Sequence, residues 1–308
     1  MNTTQQWNEL VGTHFDMYVL EPVVTEAGEE SFPIDVLIQS IRDYNIAQHN
    51  KNPIVLAYVD IGQAESWRWY WQSGWGLDDP PWIVAEDPDG WTDNYPVAYW
   101  YDQWQDIVIY GTNGNSHVNV TLNEGFDGIY LDWVEAFADD DVIAKAQTDG
   151  KDPAVEMFRF ISNIWQYARF DATNADPDYL IVAQNASDLY GENTNTYESI
   201  IDAIALEAIW YDGDEGFDDW ADTNGFNKLT DDIFPGWTDE VLGYLEPMKG
   251  RFPIFCCEYA QDYAGGTNAT YVYTVRAATN GFIPYCTRRS PQRLSTTPYP
   301  AGYVPVDY

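Results

Sequence analysis

Eight short apolar runs, most of them closing on a polar side chain, constrain this chain more than any other feature. They fall at residues 15–22, 53–62, 81–86, 126–134, 179–186, 203–211, 252–260 and 281–289. Between them lie longer stretches with helical periodicity. Residues 34–48 place Ile34, Leu37, Ile38 and Ile41 on one face, and residues 154–169 place Val155, Phe158, Ile161, Ile164 and Trp165 at helical spacing. Residues 236–249 and 268–280 read similarly. Apolar runs that alternate with amphipathic stretches predict βα units. Strands buried on both faces read as continuous apolar runs, which is the mark of a parallel sheet. Eight such units predict an α/β fold, a single (β/α)8 TIM barrel. Its polar strand ends then face the side of the barrel where catalytic groups gather. Those ends are Asp60, Asp132, Asn185, Glu207, Glu258 and Arg288.

A chain of 308 residues suits one barrel, which typically needs about 250. No linker composition interrupts it, so residues 1–308 are read as one domain. Residues 290–308, rich in Pro and Tyr, are read as an extended C-terminal strap.

The charge balance excludes several partners. There are 14 Lys and Arg against 50 Asp and Glu, a formal net charge of -36. Such a field repels nucleic acid and anionic membrane surfaces. It fits either a hydrated surface adapted to high salt, where screening weakens self-repulsion, or attraction of a cationic substrate. No run approaches the roughly 18 apolar residues of a membrane span. The N-terminal segment shows no signal peptide, so the chain is read either as intracellular or as the mature form of a secreted protein.

Cys256, Cys257 and Cys286 are too few for a disulfide framework and lack zinc spacing; the adjacent pair reads as packed strand residues. His14, His49 and His117 form no metal pair. No phosphate loop, dinucleotide fingerprint or nucleophile elbow is present, and no cofactor or metal is expected. The acidic stretch Asp212, Asp214, Glu215, Asp218 and Asp219 lacks the pattern of a calcium loop and reads as solvated.

Two carboxylates stand out. Asp132 ends the run GIYLDW, where it serves as a catalytic group or caps the next helix. Glu207 lies in AIALEAIWY, among apolar neighbours that make a carboxyl costly to bury unless it is paired or functional. Desolvation would raise its pKa, as a general acid requires. A pair of carboxyls is what glycoside hydrolysis uses. Asp127, ahead of its strand, reads as a turn residue at the opposite end. Asn185 fits either a sugar-hydroxyl contact or a loop cap. In AYVDIGQAESWRWYW, Glu65 and Arg68 are spaced to pair on a helix, and Trp67, Trp69, Tyr70 and Trp71 offer flat faces for sugar rings.

That segment and GFDGIYLDWVEAF together resemble glycoside hydrolase family 114, the endo-α-1,4-polygalactosaminidases. The resemblance continues in order through QNASDL, ALEAIWYDGD and PIFCCEYAQD, from about residue 53 to 289. It implies a (β/α)8 fold and endo-hydrolysis of a galactosamine-containing exopolysaccharide, with Asp132 and Glu207 as the catalytic pair. It also implies sugar contacts from Glu65, Arg68 and Asn185; Asp60, Trp133, Tyr211, Glu258, Tyr259 and Arg288, at or near the ends of apolar runs, are read as further substrate-binding candidates. Asp60 and Trp133 depart from the family pattern and leave the sugar open. The implied partner is a polysaccharide, cationic if deacetylated, and the implied location is extracellular. A carbohydrate-binding barrel without catalysis, or a hydrolase of another α-linked glycan, are the alternatives.

Overall fold

A computed structural model describes residues 3–111, 115–212, 229–260 and 267–287. The chain divides into two compact units. The first comprises residues 1–189 and 195–201, the second residues 190–194 and 202–308.

In the first unit, four parallel strands pair in the order β1 (Met17–Leu20), β2 (Ile54–Asp60), β5 (Gly128–Asp132) and β6 (Leu180–Gln184). Their middles are apolar and sealed: Val55, Leu56, Ala57, Val59, Ile129, Leu131, Ile181 and Ala183 are buried. The helix Ile34–His49 covers the sheet with the face the periodicity predicts, burying Ile34, Leu37, Ile38 and Ile41. The helix Pro153–Gln166 starts where Pro153 needs no N–H partner and where the Asp152 side chain accepts from the Val155 amide at 3.2 Å. At the N-terminal end of β5, Asp127 accepts from the Val55 amide at 2.7 Å and pairs with Arg42 at 2.8 Å, the turn role its position suggests.

The second unit pairs β7 (Ala203–Glu207), β8 (Ile254–Glu258) and β9 (Ile283–Cys286), again all parallel. Cys256 and Cys286 are buried and Cys257 half-buried, all as free thiols on strands. The helix Trp237–Leu245 and the helical stretch from Thr267 to Asn280 fall where the sequence predicts them.

Seven of the eight expected strands form, and a closed eight-stranded barrel is not seen among the described residues. The exception is 81–86. Trp82 and Ile83 are fully buried there, but in turns and irregular chain, with one isolated bridge from Ile83 to Val97. Pro80 and Pro81 deny that segment the amide donors a ladder needs. In its place, β3 (Gln63–Glu65) and β4 (Asn94–Pro96) form a short antiparallel pair directly after β2. No helix among the described residues is long and apolar enough to cross a membrane.

Candidate active site

The acids expected at strand ends are found there. Asp60 is the last residue of β2 and Asp132 the last of β5, and the parallel register sets them side by side. Glu207 closes β7 and Glu258 closes β8. Asn185 follows β6 directly, in the left-handed region at φ 63. Trp133 (φ 56) and Ala208 (φ 51) adopt the same conformation immediately after Asp132 and Glu207. Three successive strands thus end in a backbone state uncommon for residues with a Cβ, and such states gather at functional sites.

In the first unit a carboxylate cluster is built around these ends. The chain turns after Asp60 because its Oδ1 accepts from the amides of Gly62 at 3.0 Å and Gln63 at 2.7 Å. Gly62 must lack a side chain, since a Cβ would strike the Trp133 carbonyl and approach the Ala136 Cβ to 2.9 Å. The Tyr58 hydroxyl, two residues before Asp60 and on the same face of the strand, donates to Asp132. Glu65 and Arg68 do pair, at 2.5 Å, but in a strand end and turn rather than on a helix. The Arg68 guanidinium is sealed in the interior, where it also bonds Glu21 and, at 2.8 Å, the Thr25 hydroxyl. The carboxyls of Glu21 and Glu65 thus bracket one guanidinium, and the charge of Glu65 in turn acts on Asp60 and feels that of Asp132.

Burial dominates the electrostatics. It pushes Asp60 well above the ordinary carboxylate range, with the neighbouring charges of Asp132 and Glu65 adding to the rise. Glu65 is pushed up to about 7, burial outweighing the attraction of Arg68. Asp132 is raised by burial, against the opposing effect of the Tyr58 hydrogen bond.

In the second unit Glu258 is fully buried and accepts three backbone amides: Ile209 at 3.1 Å, and Trp210 and Tyr211 at 2.9 Å each. It braces the turn that follows Glu207. Burial still pushes its carboxyl up to about 8. Tyr211 is buried, and its carbonyl accepts from the half-buried Tyr259.

Accessibility sorts the acids. Asp60, at 3% exposure, Glu65, at 5%, and Glu258, at 0%, are buried, as is Arg68, and each bonds to the protein itself. Asp132 and Glu207 are half-buried and therefore within reach of solvent. Trp133 and Asn185 are half-buried as well; the Asn185 amide donates to Glu135 at 3.2 Å. Of the aromatics expected to stack on sugar, Tyr70 packs against Trp104, Trp69 against His117 and Trp71 against Tyr95; only Trp67, at 40%, is exposed. Tyr58 and Glu21 were not singled out from the sequence. The two-residue spacing from Asp60 could have marked Tyr58, and the polar end of the run 15–22 could have marked Glu21.

Arg288, the acidic stretch beyond Asp212 and the strap 290–308 lie outside the described residues. Among the described residues no three His, Cys, Asp or Glu side chains are grouped to hold a metal ion.

Parallel α/β units with carboxyls at their strand ends define the class of fold on which many hydrolases are built. Within that class the chain belongs to glycoside-hydrolase family GH114, whose sequence profile matches residues 1–298. It is 31% identical over 243 residues to an uncharacterized protein of Thermotoga maritima, covering 76% of this chain and 65% of the relative. The chain spans 60–66% of the length of the curated relatives it matches. Among solved structures it is similar to the glycoside hydrolase domain of PelA from Pseudomonas aeruginosa. The TM-score is 0.60 at 13% identity, over 92% of this chain and 90% of that one. It is also similar to Ega3 of Aspergillus fumigatus, solved in complex with galactosamine. There the TM-score is 0.54 at 14% identity, over 90% of this chain and 85% of that one. At such identities these two likenesses concern the fold.

Proposed function

We propose that this chain is an endo-acting glycoside hydrolase that cleaves α-1,4 linkages in a galactosamine-containing polysaccharide, with Asp132 and Glu207 as its two catalytic carboxyls. The observation that carries the assignment is the sorting by burial. Of the four acids that close parallel strands, these two are half-buried, while Asp60 and Glu258 are enclosed and bonded to backbone amides. Membership of family GH114 supports the reaction class, and galactosamine in the Ega3 complex supports the sugar.

In the reaction, one carboxylic acid protonates the leaving glycosidic oxygen, and the second carboxylate attacks the anomeric carbon or deprotonates water. We assign Glu207 as acid and base and Asp132 as nucleophile or base. Asp60, Glu65 and Arg68 act by holding the ground around Asp132, and Glu258 by holding the turn after Glu207. Trp133 and Asn185 are the candidates for sugar contact. The formal charge of -36 favours a cationic, partly deacetylated polymer. A substrate of this kind lies outside the cell, and we place the enzyme there with it, as one catalytic domain.

Asp132→Asn and Glu207→Gln are each expected to lower turnover by about 10²- to 10⁴-fold with the fold intact by circular dichroism. Near-normal turnover in either variant would remove that residue from the assignment. A panel of purified polymers, read by product mass, tests the substrate. Release from another α-linked glycan alone would replace the sugar, and binding without product would leave a carbohydrate-binding protein.

A further inference from the structure

We propose that Tyr58 is a positioning residue for Asp132, its hydroxyl holding the reactive carboxylate in one orientation and in its charged form. This rests on the assignment of Asp132 above and adds to it a residue that the sequence did not single out.

The argument starts from register. In the β2–β5 pair, Asp60 lies opposite Asp132 and Tyr58 opposite Tyr130. Side chains two apart on a strand share a face, so Tyr58, Asp60 and Asp132 project together. The Tyr58 hydroxyl donates to Asp132 Oδ2 along that diagonal. The other groups around Asp132 pull differently. From β2, Asp60 confronts it with a second carboxyl, and from β3, Glu65 adds a third. From its own turn, the Trp133 amide donates to it. On the β6 side the strand ends in Gln184 and is followed by Asn185, neither of which carries charge.

Two acids set side by side resist simultaneous ionisation, and the depth of each together with its donors decides which stays charged. Among the described residues Asp60 receives only backbone amides, those of Gly62 and Gln63, and it sits deeper. Asp132 receives the phenol and stays in reach of solvent. The hydroxyl therefore favours charge on Asp132, and Asp60 is the partner that keeps the proton. Burial and the adjacent acids raise the phenol well above its ordinary value, so it remains a donor throughout the working range.

The test is the pH dependence of hydrolysis of the galactosamine polymer by Tyr58→Phe, beside Asp132→Asn. Removing a donor to the ionised form raises the carboxyl's pKa. The acidic limb of kcat/KM should therefore move to higher pH, with kcat down by about 10- to 100-fold and KM within about twofold. Asp60 already carries the proton when Asp132 ionises, so Asp60→Asn should leave the same limb in place, and a large shift there would count against the proposal. An unmoved limb in Tyr58→Phe, or a loss confined to KM, would overturn the proposal. If Tyr58→Phe does not fold, 3-fluorotyrosine at position 58 decides the question. A stronger donor should move the limb to lower pH, and an unmoved limb counts against the proposal. Full activity in Asp132→Asn would instead remove the assignment of Asp132 itself.

Discussion

Glu207 and Glu258 close neighbouring strands, yet their surroundings set them to different work. Glu207 is half-buried, whereas both oxygens of Glu258 are spent on the amides of Ile209, Trp210 and Tyr211. Glutamine at 258 would turn one of those acceptors into a donor facing an amide. The cost of a buried, unsatisfied group is about 1–3 kcal/mol, so Glu258→Gln should lower the unfolding temperature measurably. The sign of its pH dependence follows from burial. The folded carboxyl sits at about 8, above its ordinary 4.5. Its protonation therefore contributes stability that is complete below pH 4.5 and is lost as pH rises through about 8. Glu65, at about 7, adds to the same trend over a narrower window. Thermal unfolding followed from pH 4.5 to 8 should show falling stability in the wild type and a shallower fall in Glu258→Gln. Parallel slopes would show that Glu258 does not titrate in this range.

Among elements, the β2–β5 pair carries most of the first unit's site. Its register sets Asp60 beside Asp132, and the turn after β2 runs against the turn after β5. Gly62 is where the two turns meet, with no room for a methyl group between them and the Trp133 and Ala136 Cβ atoms at 2.9 Å. Gly62→Ala should cost about 1–3 kcal/mol by denaturant unfolding, the usual penalty for an overfilled site. It should lower turnover as well, because relief of the clash displaces the backbone that carries Asp132. Wild-type stability together with wild-type turnover would mean that the two turns yield freely. The segment at 81–86 illustrates a different property of elements. Its apolar character reflects burial of Trp82 against Trp75 and Trp104, and the indole N–H reaches Gln103 at 2.9 Å. Apolar runs report burial, and burial does not require a ladder.

For the whole molecule, net charge is the dominant quantity. At -36 the folded chain repels itself, and salt shortens the range of that repulsion from about 10 Å at 0.1 M to about 3 Å at 1 M. If the acidity is an adaptation to high salt, the unfolding temperature should rise steeply with added NaCl. A flat response would assign the charge to attraction of a cationic polymer instead, and KM should then rise with ionic strength.

Local chemistry was sufficient to predict seven of the strands, the helices on their faces and the polar character of the strand ends, because periodicity and composition act within a few residues. It also sufficed to carry the family resemblance, and to single out Asp132 and Glu207 as acids at the ends of apolar runs. Pairing and depth were decided in three dimensions. No short stretch of sequence shows that β2 pairs with β5, and so none shows that Asp60 and Tyr58 face Asp132. Nor could the sequence show that Glu258, Glu65 and Arg68 are enclosed while Asp132 and Glu207 stay in reach of water. Burial depends on residues distant along the chain, and the ionisation of a carboxyl follows that burial more closely than its neighbours in sequence.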